Sequence, residues 1–143
     1  MANSWINAAS VLGLNLHLAC PDGYQIDPAI LDLASGGNMD QVRFTNDPKE
    51  AVKDADVVYT DVWASMGDEE EHVTRLKAFQ GFEVNFDLLS HAKDDAIVMH
   101  CLPAHRDEEI AEDVLEQEGG VFWDQAENKR HMHKAILESL ILK

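Results

Sequence analysis

The sequence of 143 residues lacks the features that mark several classes of protein. It has only two cysteines, Cys20 and Cys101, and neither belongs to a C-x-x-C pair that would indicate a zinc site. His131 and His133 stand two residues apart in a helix-like segment, so they do not face a common metal ion. No G-x-G-x-x-G or phosphate-loop motif indicates nucleotide binding.

No apolar run approaches the roughly 20 residues that cross a bilayer, and the first residues do not resemble a signal peptide. We therefore expect a cytoplasmic protein without metal or cofactor.

Positive charge is also scarce. The chain has 11 Lys and Arg residues against 27 Asp and Glu residues, which gives a formal net charge of -16. Nucleic acids and anionic membranes both require a cationic surface, so neither is an expected partner. Many of the acidic residues, such as those at 68–71, fall in helix-like segments, where they are typical of solvated faces and first helical turns.

Apolar residues make up 45% of the chain and fall into short runs of strand-like and helix-like spacing. The runs that predict strands are at 14–19, 41–45, 56–60, 96–99 and 121–123. The segments that predict helices are at 4–12, 28–36, 48–53, 69–79, 85–92, 107–116 and 127–142. Helices between successive strands indicate parallel strands. We therefore predict one α/β domain over residues 1–143, a doubly wound, Rossmann-like parallel sheet with helices on both faces.

The start of the chain departs from this pattern. A doubly wound domain usually begins with a strand near the centre of its sheet, whereas this chain opens directly on the predicted helix at 4–12. We therefore expect the domain to lack its first strand and to be incomplete at its amino-terminal end. The strands beside such a gap would expose unpaired backbone groups.

Two polar segments stand directly after predicted strands. Residues 61–67, D-V-W-A-S-M-G, follow the strand at 56–60, and residues 100–103, H-C-L-P, follow the strand at 96–99. Ligands bind α/β proteins at the carboxyl ends of parallel strands. We therefore expect one shared site, in which Asp61 holds an ammonium group or accepts a proton and backbone amides near Gly67 bind a carboxylate.

Each of these residues also has a simpler interpretation. Asp61 is equally typical of a helix cap or a loop, and Met66 of core packing. A lone cysteine such as Cys101 is more often a small buried residue than a nucleophile. His100 is not expected to activate Cys101, because adjacent side chains on an extended segment point to opposite faces.

Six segments together resemble the ornithine carbamoyltransferase family. They occur in the family's order and cover nearly the whole chain. D-x-W-x-S-M-G combined with H-C-L-P is highly specific, and aspartate carbamoyltransferases differ at both places. The matching segments are N-S-W at 3–5, P-D-G-Y at 21–24, T-D-V-W-A-S-M-G at 60–67, F-Q-G-F-E-V-N at 79–85, H-C-L-P-A-H-R at 100–106 and D-Q-A-E-N at 124–128.

The resemblance implies an enzyme of arginine metabolism that transfers the carbamoyl group of carbamoyl phosphate to the δ-amino group of ornithine, giving citrulline and phosphate. It implies homotrimers or multiples of them, and Asp61 and Cys101 as catalytic residues. The binding residues it implies are Asp61, Ser65 and Met66 for ornithine, and Cys101, Leu102 and Lys129 for carbamoyl phosphate.

The chain departs from the family in three places. The amino-terminal domain, with the S-T-R-T-R and H-P-x-Q motifs that grip carbamoyl phosphate, is absent, and so are the asparagines before the first helix, one of which contacts ornithine. Lys129 stands where the family usually has arginine, so a point charge replaces a bidentate fork.

We expect the chain alone to be inactive and to need the amino-terminal domain as a partner. The alternative is a non-catalytic amino-acid-binding or assembly module from a split or truncated gene. A cysteine hydrolase has little support, because no base is placed for Cys101.

Overall fold

The computed structural model describes residues 1–27, 29–30, 41–64, 67 and 69–141. In these ranges four strands alternate with helices. The strands are β1 (Leu16–Ala19), β2 (Val42–Thr45), β3 (Val57–Thr60) and β4 (Ile97–His100). The helices are α1 (Ala2–Leu12), α2 (Pro48–Val52), α3 (Glu69–Ala78), α4 (Phe86–Leu89), α5 (Glu112–Leu115) and α6 (Phe122–Ile141). Within these ranges no helix combines the length and the hydropathy needed to cross a membrane.

The four strands form two parallel pairs. In one pair β1 lies beside β2, and in the other β3 lies beside β4, with Val57 opposite Ile97 and Thr60 opposite His100. Parallel neighbours need a long crossover connection, and between β3 and β4 the helices α3 and α4 provide it. Among the described residues no ladder of hydrogen bonds joins one pair to the other. The predicted parallel α/β architecture is confirmed, and the lack of a first strand stays a prediction.

Helix α1 contacts both strand pairs. The Trp5 ring packs edge-on against Tyr59 of β3, with ring centroids 5.0 Å apart, and the helix also contacts β1. Gly13 ends the helix directly after Leu12, which is also the last residue of the helix predicted from the sequence. Its φ of 70° is left-handed, and its amide donates to the carbonyl of Ala9 at 2.9 Å. Glycine adopts this conformation without steric cost, which allows the chain to turn into β1.

The main hydrophobic core of the described residues lies on the β3–β4 pair. Val58 and Val98, which pair across the two strands, are each 5% exposed. Helices and loops cover them with further apolar side chains, namely Val52, Val84, Leu88, Ile110, Val114, Leu115 and Phe122. Full burial of such a side chain contributes about 1.5–3 kcal/mol. In contrast, no residue of β1 or β2 is buried.

The predicted helix at 107–116 is wrong over its first half, and only Glu112–Leu115 is helical. The amides of Val84 and Ala111 each bond across this segment, to the carbonyls of Glu109 and Val84 respectively. The amide of Asp107, which has a left-handed φ of 61°, donates to the carbonyl of Ile110 at 2.9 Å. These backbone groups are therefore committed to pairing between loops instead of to a helix.

The predicted strand at 121–123 is also wrong, because helix α6 begins at Phe122 and not at 127. Phe122 is 1% exposed and belongs to the core, whereas Trp123 is 61% exposed. A short apolar run does not distinguish a buried strand from a buried helical turn. Here the amide of Gln125 donates to the carbonyl of Val121 at 2.8 Å, which closes the first turn of the helix.

Side-chain caps set the start of the short helices α2 and α4, each of which contributes a side chain to the core on the β3–β4 pair. The Asp47 carboxylate accepts from the Lys49 amide at 2.9 Å and starts α2, and the Asn85 side chain accepts from the Leu88 amide at 3.0 Å and starts α4. Most of the predicted helix at 28–36 lies outside the described residues. Ala29 and Ile30 are helical.

Candidate active site

Asp61 and Cys101 meet at the carboxyl ends of two adjacent strands. Thr60 and His100 are partners in the β3–β4 register, so the residues that follow them leave the sheet side by side. The Cys101 Sγ atom donates to Asp61 Oδ1 at 3.0 Å, and the same oxygen accepts from the Val62 amide at 2.9 Å. The structure thus brings together the two polar segments that the sequence places at strand ends.

The surroundings of Cys101 favour its protonated form. Burial raises the pKa of the thiol, and the hydrogen bond to Asp61 raises this pKa further, while the Tyr59 hydroxyl acts in the opposite direction. The pKa of Tyr59 is itself raised, first by burial and then by Cys101 and Asp61. Because the thiolate is the reactive form of cysteine, this arrangement can hold and orient a proton but does not produce a strong nucleophile.

His100 points away from Cys101 into the protein and supports the turn that follows. Its side chain is 0% exposed. The ring Nδ1 accepts from the Leu102 amide at 2.8 Å, so Nε2 carries the proton and donates to Glu109 Oε1 at 3.2 Å. The predicted separation of His100 and Cys101 onto opposite faces is therefore seen, and the His100 ring bonds Leu102 and Glu109 instead of Cys101.

Glu109 is a site residue that sequence reasoning missed. It is 0% exposed, and its Oε1 accepts from the His100 ring at 3.2 Å and from the His105 amide at 2.6 Å. Burial acts to raise the pKa of Glu109, but these hydrogen bonds outweigh it and the pKa lies below its usual value. Nothing local distinguishes Glu109 from its neighbour Glu108, since both fall in the predicted helix at 107–116, where acidic residues are typical of a solvated face.

Leu102 holds an uncommon backbone conformation beside Cys101. Its φ is 56°, in the left-handed region that costs a residue with a side chain roughly 1–2 kcal/mol. The hydrogen bond from its amide to His100 holds it there. The peptide bond from Leu102 to Pro103 is cis. A left-handed φ at a residue with a side chain is enriched at functional sites, which agrees with the position of Leu102 after the end of β4.

The loop after Asp61 is supported by aromatic packing. Trp63 stacks on Phe79 with centroids 5.5 Å apart, and Arg75 of α3 donates to the Trp63 carbonyl at 3.1 Å. The Arg75 guanidinium also lies 5.3 Å from the centroid of the Tyr24 ring. These contacts fix the path of the chain as it leaves β3. Two residues that the sequence predicts to bind ornithine, Ser65 and Met66, lie outside the described residues, so their roles stay predictions.

Helix α6 reaches the site with its first turns. The Gln125 side chain accepts from the His100 amide at 3.0 Å. Lys129 lies one helical turn further on the same face, and it is exposed. Arg130, its neighbour, bonds Glu127 at 2.9 Å. The structure thus places Lys129 one turn from the site, with no contact to Cys101 or Leu102 recorded in the described residues.

The fold and the site together define a Rossmann-like ligand-binding domain with a carboxylate and a thiol at the carboxyl edge of parallel strands. Residues 1–140 match the family model described as aspartate/ornithine carbamoyltransferase, Asp/Orn binding domain. The chain therefore belongs to the aspartate/ornithine carbamoyltransferase family.

Curated relatives agree with this result. The chain is 52% identical over 141 residues to the ornithine carbamoyltransferase of Geobacter metallireducens, a match that covers 99% of this chain and 46% of the relative. It is 56% identical over 141 residues to that of Syntrophus aciditrophicus, with 99% and 47% covered. The resemblance seen in the sequence is confirmed. The chain spans about half the length of the curated relatives it matches.

Solved structures agree as well. The anabolic ornithine carbamoyltransferase from Campylobacter jejuni superposes with a TM-score of 0.86 at 39% identity, covering 96% of this chain and 46% of that one. The ornithine carbamoyltransferase from Pyrococcus furiosus gives a TM-score of 0.86 at 47% identity, covering 96% and 45%. The α/β fold of the chain is therefore that of part of these proteins.

Proposed function

We propose that this chain is the ornithine-binding part of an ornithine carbamoyltransferase, and that Asp61 and Cys101 act on the amine of bound ornithine. The observation that carries the proposal is the 3.0 Å contact between Cys101 Sγ and Asp61 Oδ1 at the ends of adjacent strands. Membership of the family and the names of its relatives support the reaction class.

In the proposed reaction, the neutral δ-amino nitrogen of ornithine attacks the carbonyl carbon of carbamoyl phosphate. A C–N bond forms, the C–O bond to phosphate breaks, and the products are citrulline and phosphate. The ammonium form of ornithine must first lose a proton, which the Asp61 carboxylate orients and accepts for release to solvent, and the second proton, lost from nitrogen as the C–N bond forms, leaves with the phosphate. The Cys101 thiol, with its raised pKa, takes part as a hydrogen-bonding group without a covalent intermediate.

Lys129 is the proposed contact to carbamoyl phosphate from α6, together with Cys101 and the backbone of Leu102. It follows Gln125 by one turn, and Gln125 already bonds the amide of His100. Arg130 is engaged by Glu127, which favours Lys129 as the cation for this role. In a complete enzyme Lys129→Arg should tighten carbamoyl phosphate by about 1 kcal/mol, because a bidentate charged pair forms stronger hydrogen bonds than a point charge.

We also propose that the chain is incomplete as an enzyme and needs a carbamoyl-phosphate-binding domain, with assembly into homotrimers or multiples of them. The chain spans about half the length of its curated relatives. Among the described residues β1 and β3 each have a strand neighbour on one side only, so an upstream strand has two edges to join. Holding two substrates in reactive geometry supplies roughly 7–11 kcal/mol of the barrier reduction, which this chain cannot provide alone.

The test joins the chain to the amino-terminal part of the Geobacter metallireducens relative and measures citrulline. We expect no citrulline from the chain alone and steady turnover from the joined protein. In the joined protein, Asp61→Asn should abolish ornithine binding, which calorimetry measures. The matched control is Asp56→Asn, at the exposed amino-terminal side of β3, which should bind ornithine normally.

Three outcomes would contradict parts of the proposal. Turnover by the chain alone would remove the need for a second domain. A carbamoyl thioester trapped on Cys101 would make that residue a nucleophile. Ornithine binding unchanged by Asp61→Asn would remove the role of the carboxylate. A joined protein that binds an amino acid but forms no citrulline would instead support a non-catalytic binding module.

A further inference from the structure

A second cluster of polar side chains lies in the segment that follows H-C-L-P. His105, Glu108 and Glu109 each place one ligand-type atom within 4.8 Å of the others. His72 of α3 lies at the edge of the cluster, with Nε2 3.0 Å from Glu108 Oε2. The cluster shares no residue with the Asp61–Cys101 pair, and only Glu109 is connected to that site, through its bond to the His100 ring.

One atom of this cluster is buried without a partner. Glu109 Oε1 accepts two hydrogen bonds, but Glu109 Oε2 is buried and has no hydrogen-bond partner among the residues that the structure describes. It lies 3.6 Å from His105 Nδ1, which is too long for a good hydrogen bond. Burying a carboxylate oxygen without a hydrogen-bond donor or a cation raises the free energy of the folded state. A cation bound to this oxygen would remove that cost.

We propose that His105, Glu108 and Glu109 bind one divalent transition-metal ion of the zinc class, with the unpartnered Glu109 Oε2 as a ligand. The proposal does not depend on the transferase function. It differs from the expectation from sequence, which predicts no metal site, because Glu109 and His105 come together only through the irregular turn at 105–110.

The distances suit such an ion. Zinc bonds of about 2.0–2.2 Å in tetrahedral geometry place neighbouring ligand atoms roughly 3.3–3.6 Å apart. His105 Nδ1 lies 3.6 Å from Glu109 Oε2 and 4.0 Å from Glu108 Oε2, and all three ligand atoms lie within 4.8 Å of one another, so the partly exposed His105 and Glu108 side chains must turn toward the fixed oxygen of Glu109 to close the set. The fourth position is open to solvent or a ligand, because the His105 side chain is 48% exposed.

The outer partners of the set have the form seen around bound metals. His72 bonds the Glu108 carboxylate, and His100 bonds the other oxygen of Glu109. Metal-ligating groups are commonly oriented by such outer hydrogen bonds. Mixed imidazole and carboxylate ligands favour zinc and its neighbours in the first transition row over magnesium or calcium.

The test titrates the full chain with Zn²⁺ by calorimetry and with Co²⁺ by visible absorption. We expect one ion per chain, with no cobalt–thiolate band, and a rise in melting temperature on zinc addition. His105→Ala and Glu108→Ala should each weaken binding at least about tenfold. His72→Ala should weaken it about tenfold through the orientation of Glu108. Circular dichroism checks that each variant is folded, which the exposure of these side chains favours.

The matched controls are His131→Ala and His133→Ala, on the exposed face of α6, which should bind zinc as the parent does. Binding that is unchanged in folded His105→Ala would overturn the proposal. So would binding lost in either control, or a cobalt–thiolate band that assigns the ion to Cys101 or Cys20. Absence of any zinc binding would overturn it as well.

Discussion

The β3–β4 pair and the β1–β2 pair share strand length and parallel direction, but only the first carries the main core. Each strand has four residues. Val58, Val98 and His100 in the first pair are nearly inaccessible, whereas the second pair has no buried residue. The candidate site lies at the end of the buried pair. This placement agrees with the need of a site for side chains held in fixed positions by their packing.

The two cysteines show the same difference at the level of chemistry. Cys20 directly follows β1 and Cys101 directly follows β4, so they occupy corresponding places at the two strand pairs. Burial alone raises the pKa of Cys20. Cys101 has in addition a carboxylate partner, because the register of β3 and β4 brings Asp61 beside it. Position at a strand end is therefore not sufficient for a site, since the neighbouring strand must supply the second group.

The largest change in stability should come from a cavity in the hydrophobic core on the β3–β4 pair. Phe122→Ala removes a side chain that is 1% exposed and should lower the free energy of unfolding by about 3–5 kcal/mol. The matched change Leu18→Ala, in half-buried β1, should cost only about 1–2 kcal/mol. Urea denaturation of both variants measures the difference. Equal losses would show that the two pairs contribute equally to stability.

A second comparison uses the histidines of the two pairs. His100→Ala leaves Glu109 buried without its ring donor and should cost about 3 kcal/mol, as for a broken buried pair. His17→Ala, at the exposed position of β1, removes only a bond to the Ala51 carbonyl at 3.2 Å and should cost less than about 1 kcal/mol. The same denaturation assay applies. A small loss for His100→Ala would mean that Glu109 finds another donor.

The cysteines provide a test by pH. Alkylation requires the thiolate, and both thiol pKa values are raised, so both rates should rise mainly above about pH 8.5. Asp61→Asn removes a negative partner and should lower the pKa of Cys101, which speeds its alkylation several-fold at fixed pH. Cys20 should not respond. The folded protein is treated with iodoacetamide, and mass spectrometry of its peptides then follows each cysteine. An equal response of both cysteines to Asp61→Asn would contradict the contact between Asp61 and Cys101.

The smallest effect concerns the turn from α1 into β1. Gly13→Ala should cost about 1 kcal/mol, because alanine is strained at a φ of 70°. No neighbouring atom lies within 4 Å of the added methyl group, so the backbone alone sets the cost. Thermal denaturation measures the change. A much larger loss would mean that α1 supports the β3–β4 core through Trp5 more than the burial pattern indicates.

Local patterns predicted most elements but failed where an element depends on distant partners. The segments at β1 to β4 and the C-cap at Gly13 follow from local spacing and turn chemistry. The segment at 107–111 has helix-forming composition, yet its backbone bonds Val84, more than 20 residues earlier in the chain. The sequence predicts a strand at Phe122, because an apolar triplet is too short to show whether its period is that of a strand or of a helix.

The sequence by itself determined the α/β class, the parallel direction of the strands and the carboxylate and thiol that follow two of them. These features follow from the spacing of apolar residues and from the order of helices and strands, and both can be read from residues that are close in the sequence. Only the tertiary structure decided that Asp61 bonds Cys101, that Glu109 is buried against His100, and that one buried oxygen of Glu109 has no hydrogen-bond partner among the described residues. Strand register and desolvation set these contacts, and both arise only when residues distant in sequence pack together.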